Sequence, residues 1–162
     1  AYDPWQAPSV TRALGAEPVA LDALLAEAET VFVTAAATDE NEGFLGAEAL
    51  ARMRPGASLV LLSRAGVVDF DALAEAVAAG RIRAASDVWP EEPMPADHPV
   101  RAMPGFLLSA HRAGALDQAF RRMGEMVLED MALMDRGLPP QAGKRAERET
   151  AARLRSRPVA AN

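Results

Sequence analysis

The chain has 162 residues, half of them hydrophobic and a quarter charged, with a net charge of −6. That is enough chain for one buried core, but too little clustered basic charge to track nucleic acid or an anionic membrane, so neither is an expected partner. Cysteine is absent, which removes disulfides, thiolate metal sites and cysteine nucleophiles together; a reducing, cytoplasmic setting and no metal are expected.

The chain opens abruptly on Ala1-Tyr2-Asp3-Pro4 and is expected to be a fragment or a processed chain. Leu21 to Ala28 has helical spacing and leads into Val31-Phe32-Val33, a compact β-prone run. Gly46 to Arg54 predicts a helix, with Leu50 and Met53 three apart, stopped at Pro55-Gly56. Ser58 to Leu62 predicts the next strand. Asp69 is placed to cap a helix over Phe70 to Ala79 that stops at Gly80. Strands follow over Arg83 to Val88 and Phe106 to Ser109. Leu116 to Arg136 predicts a long helix with Met123, Met126, Val127, Met131 and Met134 as its apolar stripe, a spacing that suits core or interface packing rather than a cofactor box. After Gly137-Leu138-Pro139-Pro140, the basic run Lys144 to Arg157 is interleaved with Glu147 and Glu149 and reads as a solvated helix face.

Short apolar runs separated by amphipathic ones predict βαβ units. The expected fold class is α/β, a Rossmann-type parallel sheet with flanking helices, its apolar strands suited to cover on both faces.

In such a sheet ligands bind at the carboxyl ends of the strands. Thr34 and Thr38 follow the first strand, with three alanines between them, and Ser63 and Arg64 follow the second. Asp87 ends the third, with Glu91 and Glu92 in the loop beyond, and Ser109, His111 and Arg112 follow the fourth. Taken singly, each has a plain structural reading: a surface ion pair for Arg64, a solvated or structural imidazole for His111, a turn or cap for Asp87. Their shared position outweighs those readings. His111 is the natural proton donor or acceptor near neutral pH. Glu92 beside it would orient the ring and favour its protonated form. Arg64 offers a planar fork to a carboxylate. An Arg, a His and a Glu around a carbonyl, on a nucleotide-type sheet, suit hydride transfer between a 2-oxo acid and a nicotinamide cofactor. His98, in the Pro-flanked loop Pro95 to Pro99, reads as structural or supporting.

Three motifs carry a family resemblance. Ser63-Arg64-Ala65-Gly66-Val67-Val68-Asp69 is similar to the arginine motif of the D-isomer specific 2-hydroxyacid dehydrogenases. Asp87-Val88-Trp89-Pro90-Glu91-Glu92-Pro93 resembles their acidic motif, whose Glu directly precedes a proline, and Ser109-Ala110-His111-Arg112-Ala113-Gly114 their histidine motif. The resemblance covers Ala1 to about Arg136. It implies Arg64 on the substrate carboxylate, His111 as acid/base and Glu92 as its partner. It implies NAD as cofactor, with Asp3 on the adenine ribose hydroxyls and disfavouring a 2′-phosphate. Thr34 and Ala35 would line the adenosine side, with Ser63 and Asp87 near the nicotinamide, and Arg64 and His111 bordering it.

The family often has His-x-Pro-x-Thr where this chain has Thr34-Ala35-Ala36-Ala37-Thr38. Its G-x-G-x-x-G turn, with the first βα unit, is expected upstream of Ala1, and that turn supplies pyrophosphate donors. The resemblance thus implies a partial NAD-binding domain over residues 1–137 and a tail over 138–162 that returns towards a substrate domain. It also implies a small 2-hydroxy or 2-oxo acid substrate, a homodimer through this domain, and weak NAD binding with no measurable turnover from the chain alone. The alternative reading is a non-catalytic NAD(H)-sensing or corepressor-like relative. A formate-oxidising relative is disfavoured, because that branch pairs its histidine with Gln.

Overall fold

A computed structural model describes residues 1–143; the basic run from Lys144 and most of the expected tail lie outside the described residues. The elements are α1 (Pro8–Ala13), α2 (Leu21–Glu27), β1 (Thr30–Val33), α3 (Ala47–Arg52), β2 (Ser58–Leu61), α4 (Phe70–Ala78), β3 (Arg83–Ser86), β4 (Phe106–Leu108) and α5 (Asp117–Met134), with 3-10 turns at Ala65–Val67 and Pro99–Ala102. The strands form one parallel sheet in the order β1-β2-β3-β4. This is the α/β, Rossmann-type arrangement expected from the alternation of runs.

Each crossover moves one strand in the same direction. Right-handed connections therefore put α3 and α4 on a single face, and α2 packs beside α3 there, with Leu25 buried in the same core. The strands alternate accordingly: Val31, Val33, Leu59, Leu61 and Ala84 point into the core with Leu25, Leu50, Met53, Leu73 and Val77 from the helices. The opposite face carries Phe32, 65% exposed, and Leu107, 72% exposed. Cover on both faces, expected from the apolar strands, is thus not met by the described residues. Runs this short do not distinguish a half-covered sheet from a fully covered one.

Local chemistry sets the helix ends. Asp69 Oδ1 accepts from the backbone N–H of Asp71 and Ala72, capping α4 as its position predicts. Gly80, at φ +67°, takes the left-handed conformation that ends α4, and Arg81 N–H reaches back to the Ala76 carbonyl. α3 is shorter than expected, because Met53 leaves the helix with extended backbone before Pro55. α1 was not expected from hydrophobic spacing: Thr11 is its only buried residue, so no apolar stripe announces it.

α5 buries none of its residues against the rest of the described chain. Its methionines are therefore not core packing here. Past its end, the backbone N–H groups of Gln141, Ala142 and Gly143 donate to Asp130 within the helix at 2.7–2.8 Å, folding that segment back along α5. Those bonds, Ala142 first, hold its carboxyl below the usual range. A Cβ at Gly143 would stand 3.0 Å from Asp130 Oδ2, so glycine suits that approach. Among the described residues, no helix is long and apolar enough to cross a membrane.

Two substitutions separate the cap from the core. Leu59→Ala, at a fully buried position, should cost about 3 kcal/mol in urea denaturation. Asp69→Ala should cost about 1 kcal/mol. Equal losses would contradict this account of α4 and β2.

Candidate active site

The in-register pairing Val33↔Leu61, Leu61↔Ser86 and Ser86↔Leu108 brings the four carboxyl ends to one rim. Thr34 and Ala35 leave β1, Ser63 and Arg64 leave β2, Asp87 leaves β3, and His111 lies just beyond β4. Asp3 stands outside the sheet, exposed, and accepts from Trp5 N–H. Ala1 beside it pairs with the stretch at Glu17 and Val19, the latter donating its N–H to the Ala1 carbonyl.

The structure joins two of the three expected catalytic residues. His111 Nδ1 lies 2.7 Å from Glu92 Oε2. With Nδ1–H given to the carboxylate, Nε2 is the nitrogen left for a substrate. The pair is reachable, its side chains being 46% and 36% exposed. Glu92 is itself oriented, because its Oε1 accepts from Trp89 N–H at 2.9 Å. Arg64 stands apart from the pair: it is exposed, and its guanidinium donates to its own neighbour's Ser63 carbonyl. His98 accepts through Nδ1 from Val100 N–H and starts the Pro99–Ala102 turn, a structural task.

Two further ties hold the loop that carries His111. Asp87 is 3% exposed and accepts from Arg112 N–H through Oδ1 (2.7 Å) and from Ala113 N–H through Oδ2 (2.8 Å). Burial pushes its carboxyl up. The Ser109 hydroxyl, the two backbone N–H groups and the nearby His111 outweigh burial and hold it below its usual value. Trp89, the residue sequence reasoning missed, donates its indole N–H to the Ser109 carbonyl at 2.8 Å. Its signal was an indole one turn from a strand end, which needs a buried acceptor. Between these ties His111 adopts φ +53°, the only non-glycine residue in that region among those described. Such backbone costs about 1–2 kcal/mol and persists where its surroundings impose it.

Ser63 Oγ and Thr38 Oγ1 are buried without a hydrogen-bond partner among the described residues. Both follow strands at this rim. Unpaired buried hydroxyls cost about 1–3 kcal/mol each, and a polar ligand along the rim would satisfy them. Among the described residues no group of three His, Cys, Asp or Glu could hold a metal.

Residues 1–113 match the family described as D-isomer specific 2-hydroxyacid dehydrogenase, NAD binding domain. The chain belongs to that family. A crystal structure of a phosphoglycerate oxidoreductase from Rhizobium etli is 59% identical, superposes with a TM-score of 0.82, and is matched over 92% of this chain and 45% of its own. A D-3-phosphoglycerate dehydrogenase from Archaeoglobus fulgidus is 33% identical over 86% of this chain and 27% of its own length. A glyoxylate reductase from Korarchaeum cryptofilum is 38% identical over 86% of this chain and 42% of its length. The chain thus spans less than half of each of these relatives. NAD is the family domain's ligand, and the orphaned hydroxyls and exposed rim of this domain fit a polar dinucleotide.

Asp87 offers a pH test. Its lowered carboxyl stabilises the fold above the unfolded-state value of about 3.8, and that contribution disappears as pH falls through the lower folded-state value. Asp87→Asn should therefore cost about 2 kcal/mol at neutral pH, and its melting temperature should converge on the parent's in acid. A gap unchanged between pH 7 and strong acid would show that the charge does not matter.

Proposed function

We propose that this domain serves an NAD-dependent oxidoreductase that interconverts a D-2-hydroxy acid and its 2-oxo acid. The observation that carries the reading is the 2.7 Å His111–Glu92 pair at the carboxyl rim of a parallel sheet. When bound, NAD supplies the hydride acceptor or donor. His111 gives a proton from Nε2 to the carbonyl oxygen in the reducing direction and takes it back from the hydroxyl in the other. Glu92 holds the ring by Nδ1 and balances the charge of the imidazolium. Arg64 swings from the Ser63 carbonyl to the substrate carboxylate, which fixes the reacting carbon; its exposure and single local bond support that freedom.

Ser63 and Thr38 offer their unpartnered hydroxyls to the dinucleotide, with Thr34 and Ala35 along the adenosine side. Asp3 faces the ribose hydroxyls and disfavours a 2′-phosphate. Asp87 serves the nicotinamide side indirectly, since both its oxygens already hold the His111 loop. The relatives' names, phosphoglycerate and glyoxylate enzymes, support short 2-hydroxy acids as the substrate class. The absence of cysteine supports a cytoplasmic, reducing setting.

The test is made on the natural protein that carries this chain. His111→Ala should lower kcat for 2-oxo acid reduction by NADH about a thousandfold while nucleotide binding survives. Arg64→Lys should raise KM for the oxo acid about tenfold. A His111→Ala variant with undiminished kcat sinks the acid/base assignment.

We also propose a homodimer that buries the apolar side of α5. Phe120, Met123, Val127, Leu128, Met131 and Met134 are all at least half exposed on it, more than scattered surface hydrophobics explain. Val127→Glu together with Met131→Glu should shift the protein from dimer to monomer in sedimentation velocity. A parent protein that sediments as a monomer at micromolar concentration rules the dimer out.

A further inference from the structure

Asp87, Trp89 and Glu92 leave β3 within one short segment, and each touches the loop that carries His111. Glu92 pairs with the imidazole, and Asp87 grips the backbone just after it at Arg112 and Ala113. Trp89 grips the backbone just before it, through the indole N–H bonded to the Ser109 carbonyl. Trp89 also acts on the other partner, since its own backbone N–H holds Glu92 Oε1. It is 8% exposed, and its ring is fixed between Phe70 and Phe106 at centroid distances of 5.7 and 5.8 Å. The indole is thus a rigid strut, anchored in the core at one end and bonded to the catalytic loop at the other.

We infer that Trp89 is a positioning residue for the proposed reaction: its indole N–H, donated to the Ser109 carbonyl, sets the register of His111 opposite Glu92. The inference rests on the acid/base reading of that pair. A left-handed residue has no local preference of its own to hold it there, so the loop's height over the rim comes from its ties. Asp87 fixes the backbone only on the exit side, and meets the entry side through the Ser109 hydroxyl alone. Without the indole bond, the Ser109 carbonyl loses its partner, and the entry side keeps the β4 pairing, where Ser109 N–H donates to the Ser86 carbonyl, and the flexible hydroxyl contact to Asp87. Displacement by a fraction of an ångström would spoil a 2.7 Å contact and the aim of Nε2 while leaving the sheet intact.

Trp89→Phe keeps an aromatic ring between Phe70 and Phe106 and deletes the donor. In the natural protein carrying this chain, kcat should fall about tenfold, the scale of a misplaced catalytic group. KM for the oxo acid and for NADH should stay within about twofold. A second reading needs neither cofactor nor turnover. The proton shared by His111 Nδ1 and Glu92 should give a downfield proton resonance, assigned by its loss in His111→Ala, and Trp89→Phe should broaden or abolish it. If Trp89→Phe does not fold, benzothienylalanine in place of Trp89 preserves the ring shape and lacks the N–H, and the same two readings apply.

An unchanged resonance overturns the inference, whether kcat falls or not, because the pair then stands without the strut. A lost resonance with unchanged kcat in a folded variant also overturns it. Should His111→Ala itself retain full turnover, the acid/base reading fails, and the resonance still decides whether Trp89 sets the pair.

Discussion

The site depends on how the chain leaves β3. That strand ends at Ser86, and the residues beyond it make three kinds of bond to a loop 19 to 26 positions away in the chain. A carboxylate takes two backbone N–H groups, an indole N–H takes a carbonyl, and a second carboxylate takes the imidazole. Each alone is worth only about 1–3 kcal/mol. Together they impose on His111 a backbone conformation that no local preference would choose. The order follows from the sheet: only because β3 and β4 are neighbours, parallel and in register do these two exits meet.

The same geometry explains why the His111–Glu92 pair is exposed while its supports are buried. In the proposed reaction Glu92 and His111 meet a substrate, and their side chains are open to solvent. Asp87 and Trp89 are nearly inaccessible, so their bonds do not compete with water and hold their geometry. Arg64 shares neither condition. It leaves a different strand, and nothing among the described contacts binds it to the His111 pair.

The strands and most helices were legible because each is announced by a short-range signal. Asp69 and Gly80 bracket α4, and the apolar runs mark β1, β2 and β4. The helix α1 was not legible, since a helix that buries only Thr11 has no amphipathic stripe. Coverage of one sheet face rather than two by the described residues was hidden as well. It follows from the direction of successive crossovers, a property of topology that strand composition does not carry. At the site, residue types and strand ends disclosed which groups gather at the rim. The bonds between them were beyond reach, because a Trp beside a Glu-Pro pair does not reveal which carbonyl, twenty positions on, accepts its N–H.

The two orphaned hydroxyls complete the argument about the rim. Ser63 Oγ and Thr38 Oγ1 are withdrawn from water without a partner among the described residues, a state a fold tolerates only where something else repays it. They flank the exits of β1 and β2, whereas the bonded cluster occupies the exits of β3 and β4. One half of the rim is therefore internally satisfied and rigid, and the other half has unused donors and acceptors. A dinucleotide laid along the rim would meet unmet hydrogen bonds at one end and the preset His111–Glu92 pair at the other. Such a division lets the proposed acid/base pair keep its geometry whichever ligand comes or goes, because none of the bonds that hold it has to be broken to bind one.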